Sequence, residues 1–439
     1  MTRLRIFHDG TPEAEAELAR LERRGESDFA RVEPVVREIL DAVRAEGDAA
    51  VLRYAERFDK RRPDPLHRTA YDGEAALARL PQDAAAAMKH AAARVRAFHE
   101  KQLAHFFHAP GGFRYTDADG VTLGWRPRPL ARAGVYAPGG TARYPSSVLM
   151  SAIPAHVAGV GQIVLATPLH GDESDDALLA AAHLSGVASI VDAGGAQAIA
   201  ALAYGTGTVP RVDKIVGPGN LFVACAKRAV FGSVAIDSIA GPSEILVVAD
   251  DEADPRLVAA DLLSQAEHDE AAYPLLVCAS PSMAEAVCVE LDAQLATLPR
   301  AGIASASLAR NGIAFVTRSR ARLAEIADRL APEHLSVQTR DPEGFLEGVV
   351  RVGAAFLGPL TPEAAGDYVA GPSHVLPTGG TVRFGSPLSI LDFFAHSSVI
   401  SYSQAALDSH RQHIADFARL EGLEAHARAV EARSGSSRR

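Results

Sequence analysis

Apolar residues recur three and four positions apart along residues 12–58 and 74–107, in segments rich in Ala, Leu, Arg and Glu. This spacing places them on one face of an amphipathic helix, so the N-terminal quarter of the chain is predicted to be mainly helical. After a short polar stretch at 111–136, the pattern changes to short apolar runs that end at Gly or Pro and precede helical segments. Such alternation predicts β-α units and a parallel sheet.

These β-α units fall into two series. The first has predicted strands at 161–167, 188–192, 213–216 and 233–237, with helices at 175–185, 195–204 and 220–231. The second has predicted strands at 244–250, 273–279, 312–317, 335–338 and 352–357, with helices at 254–269, 282–297, 319–330 and 342–348. Each series looks like a Rossmann-like half, and no internal repeat of fixed period relates them. The predicted fold class is α/β with parallel-rich sheets.

Two further segments need a separate interpretation. Residues 144–169 carry no charged side chain and are long enough to span a bilayer, but Pro145, Pro154, Gly159 and Gly161 interrupt them. They are predicted to form a buried helix followed by a buried strand. The tail after Ser386 returns to polar, helical sequence, and its last residues, SGSSRR, are predicted to fray.

Composition narrows the class of protein. A length of 439 residues favours two or more domains, or one domain with substantial additions. A content of 48% hydrophobic and 22% charged residues is typical of a folded soluble protein. The net charge of −10 favours a small-molecule substrate over nucleic acid or an anionic membrane. Three scattered cysteines exclude a disulfide framework and a Cys-rich zinc site. The N-terminus has no long apolar segment typical of a secretory signal, so we expect a cytoplasmic protein.

The G-x-G-x-x-G fingerprint of dinucleotide-binding proteins is absent from the sequence. Gly clusters occur instead at PGG (138–140), DAGGAQAI (192–199) and GPGN (217–220). Each follows a predicted strand or opens a predicted helix, where backbone N–H groups can approach a phosphate closely. Turn formation alone explains each cluster equally well.

Two pairs of polar residues could carry chemistry. Gln265 and His268 are three positions apart, on one face of a predicted helix, where both could bind one metal such as zinc. Two exposed surface residues are the alternative. Glu333 and His334 lie where a predicted helix gives way to a strand, and they would supply two proton-transfer groups near neutral pH. A solvated turn is the alternative there.

Two more pairs lie towards the C-terminus. Asp367 and His374 occur in residues 361–380, which are too rich in Gly and Pro for a regular element and are predicted to form a binding loop. Glu421 and His426 lie five positions apart on a predicted helix. Taken alone, both of these residues are expected to be exposed.

Seven segments together resemble the histidinol dehydrogenase family in order and spacing. They are GVYAPGGTARYPSSVLM, VDAGGAQAIAALAYGTG, VDKIVGPGNLFVACAKRAVFG, IDSIAGPSEILVVAD, DLLSQAEHD, APEHLSV and GDYVAGPSHVLPTGGTVRFGSPLSILDF. The resemblance covers residues 28–432. It implies NAD-linked oxidation of L-histidinol through L-histidinal to L-histidine, the last step of histidine biosynthesis, with two NAD+ consumed per histidinol.

The resemblance also implies residue roles. One zinc ion per subunit would be held by Gln265, His268, Asp367 and His426, and these ligands would also bind the substrate. His334 would take the alcohol proton and contact the substrate, and Glu333 would activate the water that attacks the aldehyde. Further substrate contacts are implied for Ser243, His374 and Glu421. Dinucleotide contacts are implied for Tyr136, Gln197 and Asn220.

The family further implies a homodimer of intertwined subunits, in which the C-terminal segment reaches the partner's active site. Glu421 and His426 would then serve the other chain. We predict two incomplete Rossmann-like domains, the first at 27–135 and 244–387 with the metal and catalytic residues, and an inserted NAD-binding domain at 136–243. Residues 1–26 and 388–439 are predicted to be helical dimerisation segments.

Two alternatives differ from this prediction. A sister branch of the same superfamily oxidises other small polar alcohols, such as a sulfopropanediol, with a similar metal site. The segment VRFGSPLSILDF resembles the histidinol branch more closely. A non-redox protein, either a zinc hydrolase or a nucleotide-binding module without chemistry, would be indicated by loss of Glu333, His334 or a ligand, and all are present.

Overall fold

The computed structural model describes residues 4–25, 29–107, 111–139 and 144–433. Gly140 of the predicted PGG turn and the C-terminal SGSSRR lie outside these residues. The described α-helices are α1 Pro12–Glu22, α2 Glu33–Glu46, α3 Asp48–Asp59, α4 Gly73–Arg79, α5 Gln82–Phe106, α6 Pro145–Val157, α7 Asp176–Ser185, α8 Gly195–Tyr204, α9 Leu221–Val230, α10 Pro255–Ala266, α11 Pro281–Leu295, α12 Ala301–Asn311, α13 Arg320–Leu330, α14 Pro342–Leu346, α15 Glu363–Tyr368, α16 Gln404–Leu420 and α17 Glu424–Glu431. Short 3-10 turns occur at Phe29–Arg31, Glu173–Asp175, Thr381–Arg383 and Ile390–Phe393.

The strands form three sheets. In chain order they are β1 Arg5–His8, β2 His67–Arg68, β3 Phe113–Thr116, β4 Val121–Pro129, β5 Arg132–Tyr136, β6 Gln162–Ala166, β7 Ser189–Val191, β8 Lys214–Val216, β9 Ala235–Ile236, β10 Glu244–Ala249, β11 Tyr273–Cys278, β12 Ile313–Val316, β13 His334–Gln338, β14 Ala354–Leu357 and β15 Phe394–Tyr402. Sheet 1 has the order β1-β12-β11-β10-β13-β14, sheet 2 the order β2-β7-β6-β5-β8-β9, and sheet 3 the order β15-β4-β3.

Sheet 1 is parallel throughout. Its central strand β10, with the sequence EILVVA, is buried along its whole length, as expected for a parallel strand covered by helices on both faces. The neighbouring β13 is equally buried although it includes Ser336 and Gln338. Both side chains donate to Asp261 Oδ2 from α10, at 2.7 and 3.1 Å, so these buried polar groups are satisfied.

Sheet 2 is parallel except for the edge strand β2, which pairs antiparallel with β7. The helices α2 and α3 share a core with α8 and α9 on this sheet. The predicted grouping of residues 27–135 with 244–387 stays a prediction, and the packing of α2 and α3 does not support it. The fold class itself, α/β with parallel-rich sheets, is confirmed.

The prediction of a mainly helical N-terminal quarter is confirmed. Residues 12–58 form α1, α2 and α3, and Gly47, with a left-handed φ of 60°, separates the last two. Other local predictions are wrong. The terminal additions are not purely helical, since β1 adds an edge strand to sheet 1 and β15 belongs to sheet 3. The polar stretch before residue 136 contains three strands, and α12 was not predicted.

A smaller unit, Gln102–Pro129 and Phe394–Arg439, separates from the larger unit, Met1–Lys101 and Leu130–Phe393. The smaller unit comprises the antiparallel sheet 3 and the paired helices α16 and α17. Its aromatic side chains contact one another: Phe107 stacks on Trp125, with ring centroids 6.0 Å apart, and is tilted against Phe394, with centroids 4.3 Å apart. Its buried apolar cluster consists of Ala415, Ala418 and Ala427.

The uncharged segment at 144–169 forms α6 followed by β6, and both are buried. The predicted helix and strand are therefore confirmed. Among the described residues, none of the helices combines the length and the apolar content needed to cross a bilayer.

Candidate active site

Glu333 and His334 lie at the amino end of β13, beside the amino end of β10. The helix α13 ends at Leu330, where Ala331 adopts a left-handed φ of 45° and Pro332 prevents the helix from continuing. The predicted helix-to-strand junction is confirmed. Both side chains are buried, at 6% and 5% exposure, so the alternative of a solvated turn is wrong.

The backbone of Glu244, the first residue of β10, contacts both of these side chains. Its N–H donates to Glu333 Oε2 at 2.8 Å, and its carbonyl oxygen lies 2.9 Å from His334 Nδ1. Because a carbonyl can only accept, Nδ1 carries the proton of this hydrogen bond. The neutral ring therefore presents an unprotonated Nε2, which is the form of a general base.

Burial shifts the two groups in opposite directions. It raises the pKa of Glu333 well above its usual value, and the nearby Glu244 carboxylate adds to the rise. It lowers the pKa of His334, although the charge of Asp367 acts in the other direction. A buried carboxyl and a buried imidazole both favour their neutral forms, because low dielectric disfavours charge.

Gln265 and His268 lie at the end of α10, with Asp367 on α15. The helix α10 stops at Ala266, so His268 lies in the following turn and not on the predicted helix face. Asp367 is on a short helix, not in an irregular loop as predicted. His268 Nε2 lies 3.8 Å from Asp367 Oδ2, and His374 Nδ1 lies 3.4 Å from Asp367 Oδ1.

The Gln265 side chain is buried at 1% exposure, and its Oε1 has no hydrogen-bond partner among the described residues. Its amide nitrogen is the group that can donate towards Glu363, whose pKa it lowers. This arrangement leaves the buried carbonyl oxygen of Gln265 without a partner among the described residues, on a side chain that contacts the Glu363 carboxyl. An unsatisfied buried acceptor of this kind fits a cation, and mixed N and O ligands fit zinc.

Glu363, which the sequence analysis missed, joins these groups. Its Oε2 accepts from Ser264 Oγ at 2.9 Å, and its Oε1 lies 3.6 Å from His334 Nε2. Candidate ligand atoms of His334, Glu363 and Asp367 all lie within 4.8 Å of one another. Burial, with the nearby Asp367, raises the pKa of Glu363 to about 7. Burial alone would raise the pKa of Asp367, but its hydrogen bond and charge interaction with His374 bring it below the usual value.

Ser243 and His374 lie on two loops near these groups. Ser243 directly precedes β10, and its carbonyl accepts from Tyr273 N at 2.9 Å. His374 Nδ1 lies 3.1 Å from the Asp367 carbonyl oxygen, so this imidazole is oriented by the helix that carries Asp367. Both residues are half-buried.

The three predicted dinucleotide contacts lie at the carboxyl ends of strands in sheet 2. Tyr136 is the last residue of β5, and its hydroxyl accepts from Gly195 N at 3.1 Å. Gln197 is buried in the first turn of α8, and Asn220 caps α9 by accepting from Phe222 N at 3.1 Å. Carboxyl ends of parallel strands followed by helix starts are the usual place for a dinucleotide.

Glu421 and His426 belong to the smaller unit. The sequence analysis placed them on one helix, but α16 ends at Leu420 and Gly422, with a φ of 75°, turns the chain into α17. Both line a pocket of about 510 Å³, together with His410, His413 and Phe417. Glu421 and His426 therefore line the same pocket although they are not on one helix.

Comparison with known proteins identifies the family. The family model described as histidinol dehydrogenase matches residues 22–434. The chain belongs to the histidinol dehydrogenase family. This confirms the resemblance drawn from the seven sequence segments, and the sister branch of the superfamily is not favoured.

The relatives agree over nearly the whole chain. Histidinol dehydrogenase from Syntrophotalea carbinolica is 49% identical over 99% of this chain and 99% of its own length. The Bacillus subtilis histidinol dehydrogenase is 51% identical over 91% of this chain and 92% of its own. A crystal structure of histidinol dehydrogenase from Elizabethkingia anophelis superposes with a TM-score of 0.89, 33% identity and 98% coverage of both chains. Membership of this family makes the chain an oxidoreductase of histidine biosynthesis.

Proposed function

We propose that the chain is a zinc-dependent, NAD-linked dehydrogenase that converts L-histidinol through L-histidinal to L-histidine. Family membership and curated relatives near 50% identity support histidinol dehydrogenation in histidine biosynthesis. One structural observation carries the chemistry. Glu333 and His334 form a buried acid and base pair, and the backbone of a single residue, Glu244, holds both.

His334 acts in the first oxidation. Its Nε2 is free to take the proton of the substrate hydroxyl, because Nδ1 is committed to the Glu244 carbonyl. Loss of that proton lets the hydroxyl-bearing carbon transfer a hydride to NAD+, giving the aldehyde and NADH. Burial, which lowers the pKa of His334, keeps the ring neutral and able to accept a proton.

Glu333 acts in the second oxidation. Its carboxylate takes a proton from a water molecule as the water oxygen bonds to the aldehyde carbon. The hydrated carbon then transfers a second hydride to a second NAD+, leaving the carboxylic acid. A raised pKa makes the Glu333 carboxylate a stronger base than an exposed glutamate, and therefore better suited to this step.

Zinc would be held by Gln265, His268 and Asp367, with His426 as the fourth protein ligand. When bound, zinc would fix and polarise the substrate without changing its own oxidation state. The unpartnered Gln265 Oε1 supports this assignment. Ser243, His374 and Glu421 would complete the substrate contacts, and Tyr136, Gln197 and Asn220 would contact the dinucleotide.

We also propose that two chains form a homodimer with shared active sites, in which Glu421 and His426 serve the partner. The smaller unit supports this proposal, because its buried apolar cluster consists of three alanine side chains. Phe417 and Leu420 on α16 are 64% and 81% exposed. A unit of this size needs more apolar burial to be stable, and a second copy of the chain would supply it.

The deciding experiment follows NADH absorbance with purified, zinc-loaded protein, L-histidinol and excess NAD+. We expect two NADH and one L-histidine for each histidinol consumed. Chelation should abolish the signal, and zinc should restore it. A folded, zinc-loaded sample that forms no NADH from L-histidinol, but does so from a sulfopropanediol, would contradict the proposal.

A further inference from the structure

A buried ion pair lies directly behind Glu333 and His334. Arg24 donates from Nε to Glu244 Oε1 at 2.9 Å and from Nη2 to Glu244 Oε2 at 2.6 Å. The two side chains are 0% and 1% exposed. Removing two charges from water costs free energy, so a pair this deep is a poor stabiliser compared with apolar side chains. The presence of this ion pair is better explained by the neighbouring groups that it holds in place than by a gain in stability.

The Arg24 guanidinium joins segments that are distant in sequence. Besides Glu244, it donates to the carbonyl of Leu21 at 2.9 Å and to the carbonyl of Ala331 at 3.4 Å. Ala331 lies two residues before Glu333, at the left-handed end of α13. One planar side chain therefore ties the end of α1, the start of β10 and the segment that leads into the catalytic pair.

Glu244, which Arg24 holds in place, contacts both Glu333 and His334. Its N–H and carbonyl bind Glu333 Oε2 and His334 Nδ1, and its Oε2 accepts from Glu333 N at 3.4 Å. Its Oε1 also accepts from Gly379 N at 2.6 Å. Every oxygen of the Glu244 carboxylate is thus used, and Arg24 compensates its charge beside the Glu333 carboxyl.

We propose that Arg24 and Glu244 are positioning residues that hold Glu333 in the orientation needed to activate water. This inference rests on the function proposed above. Without Arg24, the Glu244 carboxylate would be buried and unpaired next to a second carboxyl, so the start of β10 would shift. Glu333 Oε2 would then lose its aligned N–H donor, and its basicity and its direction towards the aldehyde would change.

Oxidation and reduction of L-histidinal together distinguish a positioning role from a general loss of folded, active enzyme. Oxidation of L-histidinal with NAD+ needs water and therefore Glu333, and it yields L-histidine, NADH and a proton. Reduction of L-histidinal with NADH and a proton gives L-histidinol and NAD+ and needs no water. The ratio of the two kcat values, measured on zinc-loaded enzyme with one substrate, is independent of the fraction of folded protein.

We expect Arg24→Gln to lower the ratio of oxidation to reduction by at least about tenfold, because misplacement of a catalytic group by a fraction of an ångström has effects of this size. Arg24→Lys keeps the charge and should restore part of the ratio. Arg79→Gln is the matched control. It removes a two-pronged arginine contact with Asp176, at 2.9 and 2.7 Å, between α4 and α7, and should leave the ratio unchanged.

Glu333→Gln separates the two levels of the proposal. If this variant loses oxidation and reduction equally, the proposed role of Glu333 is wrong. If it loses oxidation selectively while Arg24→Gln lowers both rates equally, the positioning role is overturned and the proposed function stands. Should Arg24→Gln fail to fold, the double variant Arg24→Met with Glu244→Leu replaces the pair by apolar groups, and an unchanged ratio in that variant would equally overturn the inference.

Discussion

Burial shifts the pKa values of two neighbouring residues in opposite directions. At Glu333 it raises the pKa, so the carboxylate that forms is a strong base. At His334 it lowers the pKa, so the imidazole is neutral and can accept a proton. In one low-dielectric site, burial therefore raises the pKa of the carboxyl and lowers that of the imidazole, because it disfavours the charged form of each.

At the residue scale, Gln265 offers a direct test of the metal site. Gln265→Leu removes the unpartnered buried Oε1 while keeping a side chain of similar shape. We expect at least about tenfold weaker zinc binding, because loss of even an indirect contact to a bound metal has effects of that size. The zinc affinity is measured from the zinc content of the protein after equilibration with a competing chelator.

The control is Gln294→Leu. Gln294 is a half-buried glutamine whose side chain donates to the Arg256 carbonyl, far along the sequence from any predicted ligand. The Gln294→Leu variant should bind zinc with the same affinity as the unchanged protein. Unchanged zinc affinity in a folded Gln265→Leu variant would remove Gln265 from the ligand set.

Sequence reasoning at this scale found the reactive groups and missed their support. Glu333 and His334 stood out because acid and base are adjacent at a predicted junction. Arg24 and Glu244 are separated by 220 residues and meet only in the folded chain. The sequence contained only one indication of this supporting pair: Glu244 is a charged residue at the start of an otherwise apolar, buried strand.

At the scale of helices and strands, regular β-α units were predictable and edges were not. The predicted helix 195–204 matches α8, and the predicted strand 213–216 nearly matches β8. Both lie in a buried layer, where apolar runs and Gly boundaries give clear signals. The strand β15 is exposed on most of its residues, so its mixed sequence FAHSSVISY shows no alternation. The six-residue helix α15 was not predicted, because the Gly and Pro residues around it are typical of a loop.

The loop between β8 and α9 supports a prediction at this scale. Gly217 has a φ of +115°, and a Cβ there would lie 2.1 Å from the Tyr136 carbonyl oxygen. Its N–H donates to Asp237 Oδ2 at 2.7 Å, and its carbonyl accepts from Lys227 at 2.9 Å. Gly217→Ala should lower the Tm and raise the KM for NAD+, because the end of β5 must move.

The matched variant is Gly232→Ala, at a residue with a φ of +98° where a Cβ would have no atom within 4 Å. It carries the same backbone strain, about 1–2 kcal/mol, without the collision. It should lower the Tm by less and leave the KM for NAD+ unchanged. Equal effects of the two substitutions on both quantities would show that contact with Tyr136 is irrelevant.

At the scale of the whole molecule, the proposed dimer predicts complementation between inactive chains. His426→Asn and His334→Ala should each be inactive as homodimers. After subunit exchange, half of the dimers combine the two chains, and each of these has one intact site out of two. Activity should therefore return to about a quarter of the unchanged enzyme's value.

Subunit exchange is confirmed by a size or affinity tag on one of the two variants. A mixture with proven heterodimers that is no more active than either parent would exclude shared sites. The sequence alone pointed to sharing through family resemblance, since no pattern within one chain reports on a second copy.

The site residues take opposite positions on the two large sheets, and this has an electrostatic consequence. In the larger unit, the proposed ligands Gln265 and Asp367 lie in the last turns of α10 and α15. His268 and Glu333 follow the C-terminal ends of α10 and α13. The proposed dinucleotide contacts Gln197 and Asn220 lie instead at the N-terminal starts of α8 and α9. Peptide dipoles make a helix C-terminus partly negative and its N-terminus partly positive. The backbone alone therefore attracts a divalent cation and an ammonium group to sheet 1, and the pyrophosphate of the dinucleotide to sheet 2.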